Sequence, residues 1–531
     1  MSTARTRLPA LAAAGALTLL LTACGGAAGG APTSGGTLTV GLGGGATCVD
    51  PQQTFNFSSA AMARTVVDSL TDQDPRTGEI RPWLADSWEV NADATEYTFR
   101  LREGVTFSDG TPFDAAALAA NLDYIKSLGA KSSRGAAYLV NYAGTTVVDP
   151  RTAVVSFSAP SAPFLVGTST LVFGMLSPAT TQLTPEQRCQ GELVGTGPFV
   201  MDSYVQDQTA TVLRRAGYAW PSSLSTHQGE AILERIEFVW QPVPNVRAGS
   251  LASGQTDVAM SLETQDVAQI EAAGGTVQRG TMPGLPGSFI VNSTRPQLAD
   301  PAVRQALEIG IDRESVVRTV LGTSFDPATS IVTSNLREYS DMSSMLAPDP
   351  ARATALLDTA GWIPGVDGIR ARDGVRLEIG ITYSDDFGAF YTSLMQLVQQ
   401  QLQAIGIGVR LNSVTQAGLV DAQSTRDFDT LVTTITESDP DIVRSIIQTR
   451  SPDTALLESS GLQALFTRQQ AESDEAARTA TWAEIQRIVL ENGIVVPLFE
   501  GTQLTGIGPS VTGVRQDFKS MVSFYDTART E

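Results

Sequence analysis

Apolar and polar positions alternate with period two, then drift to a period near 3.6, and the switch recurs along the whole chain. Residues 37–42 alternate as a strand, and a loop rich in Gly, Pro and Asn follows over residues 43–57. Tyr97, Phe99 and Leu101 face one way among polar neighbours, and Val105 and Phe107 are expected to resume that strand after Gly104. Ser108-Asp109-Gly110-Thr111-Pro112 ends it with turn chemistry. Asp114 then caps a predicted helix whose stripe is Leu118, Leu122 and Ile125. Residues 147–151 read as a hairpin corner, with Val154, Val155 and Phe157 returning.

Further on, Asp300-Pro301 places a cap and a first-turn proline at a helix start. Asp312 opens a second helix, with Val316, Val317, Val320 and Leu321 inward and Gly322 as its stop. Asp373-Gly374 predicts a hairpin between Ile369 and the alternating Leu377, Ile379 and Ile381. Leu394, Leu397, Val398, Gln401 and Leu402 form a helical face, and residues 407–411 a strand. Interleaved strands and helices make the fold class α/β (mixed).

A chain of 531 residues is too long for one ordinary core. Its 42% hydrophobic and 17% charged residues describe packed domains rather than disorder. The net charge is −20, and an acidic body argues against nucleic-acid binding.

The start of the chain differs in kind. Arg5 and Arg7 precede an apolar run over residues 8–21, and Leu21-Thr22-Ala23-Cys24 places small residues before a cysteine. That pattern is a secretory signal, too short for a span that needs roughly 20 residues. The box also resembles the cleavage site of bacterial lipoproteins, which implies that Cys24 carries a lipid; a plain secreted protein is the alternative. Residues 1–23 are then the signal and 24–36, rich in Gly, Ala and Ser, a flexible tether. Cys48 and Cys189 remain, an even pair expected to form a disulfide in an exported chain, with two buried thiols as the alternative.

Four ordered blocks carry a family resemblance. IRPWLADSWEVNADATEYTFRLREGVTFSDGTPF at residues 80–113 comes first. Gly195-Thr196-Gly197-Pro198-Phe199 is next, its glycines and proline expected to permit a tight bend, then VNSTRPQLADPAVRQALEIGIDRESVVRTVLG at residues 291–322. Ala360-Gly361-Trp362 with residues 400–407 is the fourth. Together they resemble the family-5 extracellular solute-binding proteins, the peptide, dipeptide and nickel-complex receptors of bacterial ABC importers. The resemblance implies a two-lobed periplasmic-binding-protein type II-like fold that closes on its ligand, with an extra domain inserted in the first lobe. Carried onto this chain, lobe one is residues 37–57, 189–282 and 500–531, the inserted domain 58–188, and lobe two 283–499. It also implies a monomer outside the cytoplasmic membrane that delivers a small polar or peptide-like solute to an ABC permease and ATPase complex, with no cofactor.

The cleft between lobes is the expected pocket. In the peptide branch, a run with Trp and Asp before an acidic residue and Pro meets the ligand, and the Asp holds its amino group. Here the run is Thr433, Thr434, Ile435, Thr436, Glu437, Ser438, Asp439 and Pro440, so the Trp position falls on Thr433 and the Asp position on Thr436. The threonines can bond uncharged groups, and the adjacent Glu437 can serve as the anion for an ammonium. Alternatively Glu437 is a loop carboxylate; Asp439 is expected to cap a helix over residues 441–448. Asn56 and Phe57 are expected either to face the cleft, bonding and stacking on a ligand, or to form a surface turn.

No metal site is expected, because His227 is the chain's single histidine and reads as a solvated loop residue. An enzyme reading fares poorly. There is no Gly-x-Ser-x-Gly elbow, and only Lys126, Lys131 and Lys519 are lysines that can replace a histidine base. A secreted hydrolase and a ligand-sensing receptor stand as the alternatives to import.

Overall fold

Three main sheets grow from the alternating segments, with smaller ones beside them. The computed structural model describes residues 32–33, 35–45, 48–54, 56–384, 386, 388, 390–450 and 453–530. The expected signal and Cys24 lie outside them.

The first sheet has seven strands in the order Thr276–Thr281, Thr502–Ile507, Val258–Ala259, Thr37–Leu42, Arg235–Trp240, Thr209–Arg214 and Phe199–Val205. Thr37–Leu42 runs parallel to both of its neighbours. The second sheet has five strands in the order Gly408–Ser413, Glu378–Tyr383, Thr430–Thr436, Gly284–Val291 and Val495–Phe499. Helices cover both of its faces. Leu394, Val398 and Leu402 of the helix Phe390–Ala404 pack on one face, and Trp482 and Ile485 of Glu475–Glu491 on the other. The third sheet is antiparallel, in the order Ala85–Val90, Glu96–Leu101, Thr152–Phe157 and Tyr142–Asp149. The mixed α/β class follows directly.

The expected caps form. Asp114, Asp300 and Asp312 each accept a backbone N–H in the first turn of their helices.

Several expectations need correction. Val105 and Phe107 are buried but form no strand; the turn at residues 108–112 leaves room only for an isolated bridge, Thr106 to Pro112. The residues expected to begin the inserted domain instead form the helix Phe57–Val66, which packs on Phe199–Val205 of the seven-stranded sheet. One continuous core joins that sheet to the four-stranded one, with Phe238 and Phe99 in a single cluster. The tether ends early, because Pro32–Thr33 pairs antiparallel with Ala528–Thr530 in a three-stranded sheet.

Gly195 and Gly197 serve close approach rather than a bend. A side chain on either would strike the backbone of Val66, with the nearest atoms at 2.0 and 2.4 Å. His227 is a half-buried loop residue with partners of its own. Its ring stacks on Tyr525 at 4.2 Å, and its Nδ1 lies 3.0 Å from Asp526 Oδ1. The sulfurs of Cys48 and Cys189 are placed as a disulfide, with the Cα atoms 4.1 Å apart.

Candidate binding cleft

The chain passes between the seven- and five-stranded sheets at two places. Thr276–Thr281 leads through residues 282–283 into Gly284–Val291, and Val495–Phe499 leads back through residues 500–501 into Thr502–Ile507. The two links touch, since Met282 N–H donates to the Gly501 carbonyl at 2.9 Å. Gly284 sits where the first link enters the sheet, with φ of +121°. A β-carbon there would lie 2.3 Å from the Ile435 carbonyl oxygen. The two sheets are thus joined by two adjacent links of two residues each.

In front of these links lies a cleft of about 1730 Å³, above the roughly 300–1,000 Å³ of an ordinary small-molecule pocket. The helix Ser133–Tyr138 brings Arg134 and Tyr138 to it, the strand Thr502–Ile507 brings Gln503, and the side of the five-stranded sheet brings Phe390, Phe499 and the run 432–437.

All five residues of the run 433–437 line the cleft, and they are less free than their sequence suggests. Thr433 Oγ1 accepts from Arg450 Nη1 at 2.6 Å, and Thr434 donates its hydroxyl to the Leu285 carbonyl at 3.3 Å. Ile435 packs on the lobe-two core. The Thr436 carbonyl accepts from Arg134 at 3.0 Å.

Glu437 does not await an ammonium from a ligand. Its carboxylate is buried, and Oε1 already accepts from Lys519 Nζ and the Tyr138 hydroxyl, both at 2.9 Å, while Arg134 lies 3.7 Å from Oε2. Burial alone would push the carboxyl up, but Lys519 and Arg134 outweigh it and hold it below the ordinary glutamate range. The carboxylate that could have taken a ligand's ammonium is paired with the chain's own lysine.

Asp439 caps as expected, accepting from Asp441 N–H at 2.9 Å at the start of the helix Asp441–Arg450. It also makes two bonds to Arg478, at 2.7 and 2.8 Å. Asn56 and Phe57 do line the cleft, but Asn56 is a cap: its Oδ1 accepts from Ser59 N–H, and its Nδ2 donates to the Gly45 carbonyl. Phe57 is half-buried and packs against the core at the cleft wall.

Arg134, Tyr138, Arg450 and Lys519 escape sequence reasoning as site residues. Each acts across the fold, and no local spacing marks such contacts. Among the described residues there is no group of His, Cys, Asp or Glu able to hold a metal, and no helix long and apolar enough to cross a membrane.

Comparison with known proteins agrees with this architecture. Residues 79–455 match the profile described as "Bacterial extracellular solute-binding proteins, family 5 Middle". The chain is 28% identical over 408 residues to "Glutathione-binding protein GsiB" of Shigella dysenteriae, covering 76% of this chain and 73% of that protein. Among solved structures it resembles NikA from Brucella suis in complex with Fe(III)-EDTA, with a TM-score of 0.80 and 24% identity over 93% of this chain and all of that one. It also resembles the ABC transporter substrate-binding protein CtaP from Listeria monocytogenes, with a TM-score of 0.79 and 18% identity over 94% of this chain and all of that one.

Proposed function

The chain belongs to the bacterial extracellular solute-binding proteins of family 5, the substrate receptors of ABC importers, and from that premise we propose that it captures a small, polar, peptide-like solute by hinge closure. Family members work with a membrane permease and an ATPase, and they are binding proteins rather than enzymes. The observation that supports a trap here is the pair of touching links at residues 282–283 and 500–501 behind one large cleft. Closure would bring the Phe390 and Phe499 side of lobe two toward lobe one and the insert. A ligand drives it only by preferring the closed form.

A peptide-like cargo is favoured by the relation to a glutathione-binding protein and by the mixed lining, where aromatic rings alternate with threonines and arginines. We further propose that the exported chain is anchored on the outer face of the cytoplasmic membrane through lipid on Cys24, acts as a monomer, and carries the Cys48–Cys189 disulfide in that oxidising setting.

Calorimetric titration of the purified protein with glutathione and short peptides tests the reading. One-to-one binding without turnover supports it. Release of hydrolysed product from any of these compounds would overturn it.

A further inference from the structure

The charges at the end of the strand Thr430–Thr436 do not balance. Within ion-pair distance, Glu437 is one carboxylate against two cations, Lys519 at 2.9 Å and Arg134 at 3.7 Å. The next two acids are committed elsewhere, Asp439 to Arg478 and Asp441 to Arg444. Neither offers a carboxylate to the cleft without first losing its arginine.

Arg450 adds a further positive charge. It ends the helix Asp441–Arg450 and lines the cleft, and its one hydrogen bond among the described residues goes to the neutral hydroxyl of Thr433. No carboxylate of the described residues lies within ion-pair distance of it, and its Nε is buried without an acceptor. Burial pulls the guanidinium down to about 10, with no neighbouring acid to offset it. It remains protonated at neutral pH. A charge largely withdrawn from water and given one neutral partner is costly, unless a bound anion completes its shell. The carbonyls at the end of its helix contribute only a partial charge.

We propose that this end of the cleft receives an anionic group of the ligand, a carboxylate, with Arg450 as its direct partner. The guanidinium fork suits a carboxylate, which can accept two parallel N–H bonds. Arg450 meets the strand at Thr433 and Arg134 meets it at Thr436, about 10 Å apart by strand rise. That spacing admits a second oxyanion on the same ligand. The polarity is opposite to that of a peptide receptor with an aspartate at position 436, which would hold an ammonium here. The proposal rests on the receptor function above and names its substrate class.

The test uses matched compounds: glutathione and a panel of tripeptides, each as free acid, as carboxyl-amidated form and as N-acetyl form. Wild type and Arg450→Met are titrated with all of them. Free acids and N-acetyl forms should bind wild type within about threefold of each other, and amidation should weaken binding tenfold or more. Arg450→Met should lose tenfold or more for the acids and change little for the amides, and Arg450→Lys should recover part of the loss. The acid–amide comparison on wild type stands even if a variant misfolds. Equal binding of acids and amides, or full affinity in Arg450→Met, overturns the subsite while leaving the receptor function in place. If wild type binds none of the compounds, the peptide-like cargo is refuted and the subsite with it.

Discussion

Lys519 sets its ammonium 2.9 Å from the carboxylate of Glu437, across 82 residues of chain, and both groups are buried. The Tyr138 hydroxyl bonds the same oxygen. An acid at the end of the strand Thr430–Thr436 is thereby held by the C-terminal segment and by the helix Ser133–Tyr138 at once, beside the cleft.

Removing the shared acid strands a charge away from water. Glu437→Gln should cost about 3–5 kcal/mol of stability, read from urea unfolding, because the buried Lys519 ammonium loses its bonded carboxylate. Adding Lys519→Met should restore part of it, because the stranded charge is gone. A single variant as stable as wild type would mean that the pair is not buried in solution.

Glu308 gives a pH dependence of known sign. It is buried, and burial raises its carboxyl to about 8 despite the opposing influence of Arg313. The folded state holds this proton more tightly than the unfolded chain. The group's contribution is therefore full below the ordinary glutamate pKa and is lost as pH rises toward about 8. Glu308→Gln should differ little from wild type at pH 5 and be more stable by a few kcal/mol at pH 8. Denaturant unfolding at the two pH values checks it. Equal stability of the two proteins at pH 8 would show that Glu308 ionises there without cost.

Gly284 is the residue of the hinge least able to change. Its φ of +121° and the 2.3 Å approach of the Ile435 carbonyl leave no room for a methyl group. Gly284→Ala should cost about 1–3 kcal/mol and weaken ligand binding, since the first link must shift to accept it. Thermal unfolding and titration of one sample measure both effects.

Much of this fold is legible in local pattern, and the reason is chemical. A cap such as Asp312 bonds an N–H three residues away, and an alternation such as Ile379 and Ile381 reports one buried face. Both are readable within a few residues. The cleft is different. The run 433–437 can be located by its place before Asp439 and Pro440, yet the state of Glu437 depends on Lys519, Arg134 and Tyr138, which no spacing connects to it. Arg450 reads as an ordinary helix-end arginine until the absence of an acid beside it is seen among the described residues. The glycines at 195 and 197 look like bend residues, and only the nearness of Val66 explains them. Local chemistry writes elements into the sequence, whereas pairing across the fold leaves no local trace.

The central claim is that this protein traps a solute by bringing its two sheets together about residues 282–283 and 500–501. Small-angle X-ray scattering of the purified protein, with and without a saturating solute identified by titration, tests it most directly. The account predicts a smaller radius of gyration in the loaded state, reversed when the solute is removed. Superimposable profiles at proven saturation would contradict it.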